Sequence, residues 1–394
     1  MQHNSKKKII FVNNNLKSGG IAKALVNLIN EIYTDYDITL LLFAKTGQYL
    51  SEIPDSVKII KSNFIFELIG KSQFELKKNF FLYLIRAFLV ILTKIFGFSF
   101  TIKLMLLTAK KIEHYYDYAI SFHHGPQKRS FYGGCNEFVL YKIDAKQKIG
   151  FIHADYIKSG LNTKHNKKLY LKFDKIATVS NGCKNQVLMC IPEISNKMYV
   201  VKNCTNYNLI NKLINEENIQ FDRTFFNIIT VSRLSEEKGL LRAVEVIYEL
   251  IKQNYKIKYH IIGDGPLREK LIYQIKYFNL ENYIYLYGNQ INPYKYMKNA
   301  DLFLLPSFHE AAPMVIDESI AIGLPVLTTK TISAVEMIQK PYYGWVCENS
   351  TEGIKQGIIK ILNNQEELLI VKRRLKIDLN NDIAIEQFRR LING

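Results

Sequence analysis

The chain has 394 residues, 53 Lys or Arg against 36 Asp or Glu, a formal net charge of +17 and a hydrophobic fraction of 48%. That length exceeds what one hydrophobic core usually serves, so two domains are expected, and the apolar fraction is that of a globular protein. Five cysteines, Cys135, Cys183, Cys190, Cys204 and Cys347, are odd in number and include no Cys-x-x-Cys, which suggests neither a disulfide framework nor a zinc ribbon and fits a reducing cytoplasm.

In chain order, Lys6-Lys7-Lys8 precede an apolar run, Ile9 to Val12, that is far too short for a signal-peptide core and reads as a first buried strand. After it, Ser18-Gly19-Gly20-Ile21 opens a helical stretch from Ala22 to Ile32. Glycines there either let backbone N–H groups approach an anion at a helix N-terminus or simply make a tight strand-to-helix turn. Neither the Gly-x-Gly-x-x-Gly fingerprint nor a Walker lysine is present. Asp35-Tyr36-Asp37 imitates a metal-binding Asp-x-Asp, but it directly precedes the second strand and reads as a turn.

From Lys61 to Lys111, nine Lys or Arg stand against Glu67 and Glu75, embedded among Phe, Leu and Ile. So greasy a stretch excludes nucleic acid as the anionic partner. The most apolar part, Phe80 to Leu107, is interrupted by Arg86, Lys94 and Lys103, which excludes a charge-free membrane span. These three cations do not share one helical face, and Gly97 is expected to split the stretch into two helices. Two readings stay open: peripheral membrane contact through 61–111, or helices that cover the first sheet while their lysines snorkel.

Short β-type runs (Lys8 to Val12, Ile38 to Phe43, Val57 to Lys61, Tyr118 to Phe122, Lys148 to His153, Lys175 to Val179, Met198 to Val201) alternate with segments long enough for helices, as in a parallel sheet covered on both faces. His123-His124 follows one of these strands with no third metal ligand at useful spacing, so both read as polar loop residues. Asn203 to Thr224 is polar, Asn-rich and the expected linker. The rhythm then restarts with strands at Asn227 to Val231, Lys258 to Ile262, Ile284 to Tyr287, Leu302 to Leu305 and Pro325 to Thr328, and helices at Leu240 to Gln253 and Pro266 to Phe278. The expected fold is α/β, two Rossmann-like domains in series, residues 1–205 and 206–394. Trp345 reads as core.

Ligands of open parallel sheets sit at the carboxyl ends of the strands. There, Thr230 to Gly239 places Arg233 and Lys238 on one loop, a guanidinium that grips phosphate oxygens bidentately and an ammonium beside it, enough for a diphosphate without a metal. Ile262-Gly263-Asp264-Gly265-Pro266 allows a tight turn close to a ligand. Glu310 follows a strand and Glu318 lies in the ensuing helix, and carboxylates suit sugar and ribose hydroxyls. Backbone N–H groups of the turn Ala312, Pro313, Met314 are placed for phosphate or substrate oxygens. His309 either contacts a sugar or shapes its loop.

The series Arg233…Lys238-Gly239, Gly263-Asp264-Gly265-Pro266 and Glu310-x7-Glu318 followed by Gly323-x-Pro325-Val326 resembles the retaining GT-B glycosyltransferases called family 4. The match is continuous over about 100 residues and extends more loosely to Gly19-Gly20, His153 and Ser180. The resemblance implies two domains facing each other across a cleft, with the last helix (about 380–394) packing back on the first. It implies Arg233 and Lys238 as diphosphate ligands, Glu310 as a donor-sugar ligand, Glu318 as a ribose ligand, and His153 reaching the transferring sugar from the first domain. The implied reaction moves a hexose or N-acetylhexosamine from a nucleotide-diphosphate sugar, a UDP-sugar, to a saccharide acceptor, lipid-linked at the inner face of the plasma membrane, in capsule, exopolysaccharide or lipopolysaccharide assembly. No cofactor is required, and the leaving phosphate itself takes the acceptor's proton. One departure stands out: where the family has Gly after the first Glu, Ala311-Ala312 follows Glu310, and alanine penalises positive φ. That departure keeps a non-catalytic partner subunit open, and a sugar-nucleotide 2-epimerase is a further alternative.

Overall fold

The computed structural model describes residues 6–17, 19–127, 129–216, 219–339, 342–375 and 379–394. Ser18, quoted above with the glycine turn, lies outside them. The chain divides into two compact units, Met1–Cys204 with Asn381–Gly394, and Thr205–Asn380.

The first unit holds a seven-stranded sheet built from β1 (Lys8–Asn13), β2 (Asp37–Leu42), β3 (Lys58–Lys61), β4 (Ile112–Ser121), β5 (Ile143–Ile152), β6 (Lys175–Thr178) and β7 (Met198–Val200), in the order β3-β2-β1-β4-β5-β6-β7. Every pairing is parallel. A parallel sheet needs crossover helices on its faces, so its central strands are buried on both sides and read as continuous apolar runs such as Ile9-Ile10-Phe11-Val12. The last helix, Asp382–Asn393, belongs to this unit. Its Phe388 is fully buried with its ring 6.3 Å from Phe11, and the buried Lys175 donates to the carbonyl of Leu391 at 2.7 Å, satisfying one of the helix's terminal acceptors.

The second unit holds a six-stranded parallel sheet, β8 (Phe226–Val231), β9 (Ile257–Ile262), β10 (Ile284–Gly288), β11 (Leu302–Leu305), β12 (Val326–Thr329) and β13 (Gly344–Cys347), in the order β10-β9-β8-β11-β12-β13. Counted within the unit this is 3-2-1-4-5-6, the Rossmann order, with its reversal between β8 and β11. Two apolar cores flank the sheet, one around Val244, Ile247 and Leu304, the other around Ile229, Phe303 and Ile320.

Several expectations need correction. The stretch expected as a linker, Asn203 to Thr224, carries a helix, Tyr207–Leu213, capped by the Asn206 side chain, and Ile210 and Phe221 are buried in the second unit's core. Two apolar anchors outweigh the polar composition around them. The strand Gly344–Cys347 went unread because its four residues are each only half-buried. Trp345 lies on it, partly buried, its indole N–H donating to Glu367 Oε1 at 2.8 Å. Gly97 does separate two helices, Phe80–Phe96 and Phe98–Thr108. Asp35 sits in the turn before β2 and pairs with Arg389 at 2.9 Å.

Candidate functional site

In the second unit the strand order reverses between β8 and β11, the place where open parallel sheets bind ligands, and the two loops leaving their carboxyl ends carry most of the residues singled out above. The β8 loop runs through a short 3-10 turn, Glu236–Lys238, to Gly239, whose φ is 65°. A Cβ at Gly239 would lie 2.1 Å from the Pro306 carbonyl oxygen, so glycine is required both by the backbone conformation and by the approach of the β11 loop. The Phe308 N–H donates to the Glu237 carbonyl at 2.8 Å and completes the joint. Lys238 and Glu310 therefore meet across it: Lys238 Nζ lies 2.6 Å from Glu310 Oε1, which also accepts from Ser307 Oγ at 2.7 Å. Ser307 is fixed in turn, its carbonyl accepting from Thr329 Oγ1 at 2.5 Å.

Arg233 behaves differently. Its side chain is 70% exposed and reaches Glu237 Oε1 only at 3.6 Å, a separation at which solvent screens most of the attraction. A cation held so loosely can turn to an incoming anion at little cost.

Gly263 and Gly265 follow β9, and the structure gives them a reason independent of any ligand. A Cβ on Gly263 would meet the Ser232 carbonyl oxygen at 1.9 Å, and one on Gly265 would meet Leu234 backbone atoms at 2.5 to 2.9 Å. The β9 loop thus braces the β8 loop, and the Leu234 N–H donates to the Asp264 carbonyl at 3.0 Å.

The helix Met314–Ile322 follows Glu310, with Glu318 buried inside it and Gly323 ending it at φ 80°. Pro313 stands at its N-cap and has no N–H, so of the turn named above only Ala312 and Met314 carry donors. Ala311 and Ala312 are not among the described non-glycine residues with positive φ, which are Asn254, Asn279 and Tyr342. The alanines here need no left-handed backbone, and the expected strain is absent.

One residue escaped the sequence reading. Arg242, on the helix Leu240–Lys252, is 7% exposed and clamps the β11 loop: Nε and Nη2 donate to the Pro306 carbonyl at 3.0 and 2.6 Å, Nη2 reaches Asn349 Oδ1 at 2.8 Å, and the guanidinium lies 3.9 Å from the Phe308 ring centroid. Burial pulls its pKa down from the ordinary arginine value. The available signal was an arginine three residues into a strongly amphipathic helix, and by itself that reads as a solvated cation.

In the first unit the sheet reverses between β1 and β4. Gly19 and Gly20 follow β1, and a Cβ on either would meet nothing within 4 Å. The space above that turn is open. His123 and His124 lie in the loop after β4, and the fold adds what the sequence did not show: His123 is 2% exposed, its ring nitrogens 3.0 Å from the His124 carbonyl and from Tyr132 Oη. Burial pushes its pKa down to about 4. His124 Nδ1 is buried without a hydrogen-bond partner. His153, just past β5, lies against Phe122 and Phe151, ring centroids 4.5 and 5.4 Å away, and its buried Nε2 is likewise unpartnered. Burial, then the nearby His123, push its pKa down to about 3, so its ring is neutral near neutral pH. The pairing of β4 with β5 is what brings His153 against Phe122. Among the described residues no group of three His, Cys, Asp or Glu is placed to hold a metal. A separate cavity of about 460 Å³, lined by Phe96, Gly97 and Phe98 on one side and Lys164 and His165 on the other, contains none of the candidate site residues.

Two parallel-sheet units with these strand orders define the fold of the GT-B glycosyltransferases. HepE of Anabaena, solved in complex with UDP and glucose, matches it with a TM-score of 0.68 at 16% identity over 98% of this chain and 100% of its own. Residues 211–377, which carry Arg233, Lys238, Glu310 and Glu318, match the family model described as Glycosyl transferases group 1. Among curated relatives, the amylovoran biosynthesis glycosyltransferase AmsK of Erwinia amylovora is 29% identical over 42% of this chain and 44% of its own length. The N-acetylgalactosamine-N,N'-diacetylbacillosaminyl-diphospho-undecaprenol 4-alpha-N-acetylgalactosaminyltransferase of Campylobacter jejuni is 29% identical over 56% and 60%. The chain spans about half the length of the curated relatives it matches.

Proposed function

We propose that this protein is a glycosyltransferase that moves a hexose or N-acetylhexosamine from a UDP-sugar to a lipid-linked saccharide in surface-polysaccharide assembly, with retention of configuration. The observation that carries this reading is the Lys238–Glu310 pair at the β8/β11 reversal, with the loosely held Arg233 on the same loop. An ammonium and a guanidinium there are suited to the charge that grows on a departing diphosphate, and their value in the transition state exceeds that in the ground state because the charge is then larger. Glu310, already fixed by Ser307, serves as a positioning acceptor for sugar hydroxyls, and Glu318 as the ribose acceptor. Gly263 and Gly265 contribute by bracing the β8 loop, and the Ala312 and Met314 N–H groups by facing substrate oxygens. In the first unit, the assigned contacts are the open Gly19-Gly20 turn for an anion and His153, a neutral ring, for a sugar hydroxyl.

The UDP and glucose bound in HepE, the polysaccharide setting of AmsK and the diphospho-undecaprenol acceptor of the Campylobacter relative support the donor, setting and acceptor classes. We assign residues 1–205 to the acceptor and 206–394 to the donor, and place the protein in the cytoplasm against the inner face of the plasma membrane. The non-catalytic reading rests on the Ala311-Ala312 departure, and neither alanine is held at positive φ; transfer or donor hydrolysis by the purified chain excludes that reading. Thermal unfolding with a panel of nucleotide sugars tests the donor, since a ligand that binds only the folded state raises the midpoint. A UDP-sugar is expected to give the largest rise. Equal midpoints with every nucleotide sugar would sink the reading, and product analysis without acceptor separates transfer from 2-epimerisation.

A further inference from the structure

The helix Phe80–Phe96 turns an apolar stripe to solvent. Phe81, Leu84, Phe88, Ile91 and Ile95 recur at alternating spacings of three and four, fall on one helical face, and are each between 47% and 70% exposed. The opposite face is the packed one, with Leu89 and Thr93 buried and Thr93 Oγ1 donating to Leu89 O at 2.8 Å. The following helix, Phe98–Thr108, adds exposed Phe100, Leu104 and Leu107. Water-soluble surfaces rarely carry so continuous an apolar patch unless something covers it.

Charge says what does. No Asp or Glu occurs between Glu75 and Glu113, whereas seven Lys or Arg do. The acidic residues just before this run are already neutralised, Glu67 by Lys61 and Lys71 at 2.5 Å each, and Glu75 by Lys17. Arg86 directs its guanidinium at the carbonyls of Leu68 and Lys71 and at Gln73, and Lys111 pairs with Asp144 at 3.4 Å, which leaves Lys77, Lys78, Lys94, Lys103 and Lys110 exposed along the segment that carries the apolar face. A second copy seated on the stripe would form an isologous contact, each lysine set facing the same set on its partner. An anionic bilayer surface accepts both features, the apolar side chains among its acyl chains and the lysines at its headgroups. No helix among the described residues is long and apolar enough to cross a membrane.

We propose that the helices Phe80–Phe96 and Phe98–Thr108 form an in-plane docking surface for anionic lipid bilayers, the longer helix lying on the membrane by its Phe81–Ile95 stripe. This deepens the lipid-linked-acceptor reading above and rests on it only for the purpose of the docking. The test uses the full chain, floated without nucleotide sugar with vesicles of equal parts phosphatidylglycerol and phosphatidylcholine, and with vesicles of phosphatidylcholine alone. Wild type floats with the anionic vesicles and on the order of tenfold more weakly with the neutral ones, and high salt reduces the difference. The triple variant F81S/F88S/I95S loses flotation on the order of tenfold or more, while its unfolding midpoint and its thermal shift with UDP-sugar match wild type, because all three side chains face solvent. K77E/K78E loses the preference for anionic vesicles. Wild type that does not float, a triple variant that floats as well as wild type, or a solution dimer dispersed by the triple variant each overturn the proposal. A chain that floats but binds no nucleotide sugar keeps the docking surface and overturns only the function proposed above. One that binds nucleotide sugar but does not float does the reverse.

Discussion

Lys238 and Glu310 are 72 positions apart and meet because two strand ends are neighbours. Lys238→Ala is expected to lower kcat on the order of a hundredfold or more, the usual cost of removing one donor from developing charge. It also leaves Glu310, a nearly buried carboxylate, with the hydrogen bond from Ser307 Oγ. Glu310→Ala should abolish transfer while the unfolding midpoint stays near wild type; turnover close to normal in both variants, read by release of nucleoside diphosphate, would refute the assignment. Arg242→Lys keeps a charge but not the planar fork that grips Pro306 O. Stability is expected to fall by about 1–3 kcal/mol, with KM for the donor rising as the β11 loop loosens, and a denaturant titration beside steady-state kinetics checks both.

At the level of elements, the site is a set of loops held against one another by close backbone approach. Gly239→Ala places a methyl 2.1 Å from a carbonyl oxygen at a position of φ 65°. The φ strain alone costs roughly 1–3 kcal/mol, and the collision must in addition push the β11 loop away. Donor affinity should therefore fall more than for Gly20→Ala, where an added Cβ meets open space. Isothermal titration with a UDP-sugar distinguishes them, and equal losses would argue that the joint does not position the site. The sequence motif Gly263-Asp264-Gly265 was legible as a tight turn, yet its reason was not: the atoms that exclude a side chain belong to Ser232 and Leu234, some 30 residues earlier. The helix in the expected linker illustrates the same limit, since Ile210 and Phe221 acquire meaning only once a core exists to receive them.

For the whole molecule, buried histidines tie stability to pH. His123 titrates at about 4, and His153 and His260 at about 3, all lowered chiefly by burial from an unfolded value near 6.5. Below pH 6.5 the unfolded chain takes up protons that the folded chain refuses. The stability these groups contribute is thus complete above about 6.5 and is lost as pH falls towards 4 and then 3, at up to about 1.4 kcal/mol per pH unit for each histidine. Urea titrations across that range should show the slope, and His260→Gln, which removes one titrating ring stacked on Phe221 at 3.7 Å, should flatten it. The terminal helix makes a second prediction at this scale. Removing Asn381–Gly394 uncovers the Phe11 face of the first sheet, because Phe388, Leu391 and Ile392 are all buried there. The truncated chain should lose the first unit's cooperative unfolding while the second unit's transition survives; a single unchanged transition would contradict the division into units.

By itself the sequence determined the alternation of strand and helix, the split at Gly97, and the presence of Arg233, Lys238 and Glu310 on strand-end loops with Glu318 in the helix that follows. Those are consequences of local periodicity, and of residue types whose chemistry is the same wherever they stand. Only the tertiary structure decided that Lys238 and Glu310 form one pair, that Arg242 is a clamp and not a solvated cation, that His123 is buried while His124 and His153 are half-buried with one buried ring nitrogen each, and that Ala311-Ala312 needs no positive φ. Each depends on which strands are neighbours, a long-range choice that one stretch of sequence does not encode. The 61–111 segment stands between the two: its composition was plain from the start, and the fold decided which face of its long helix meets solvent by burying Leu89 and Thr93 on the other.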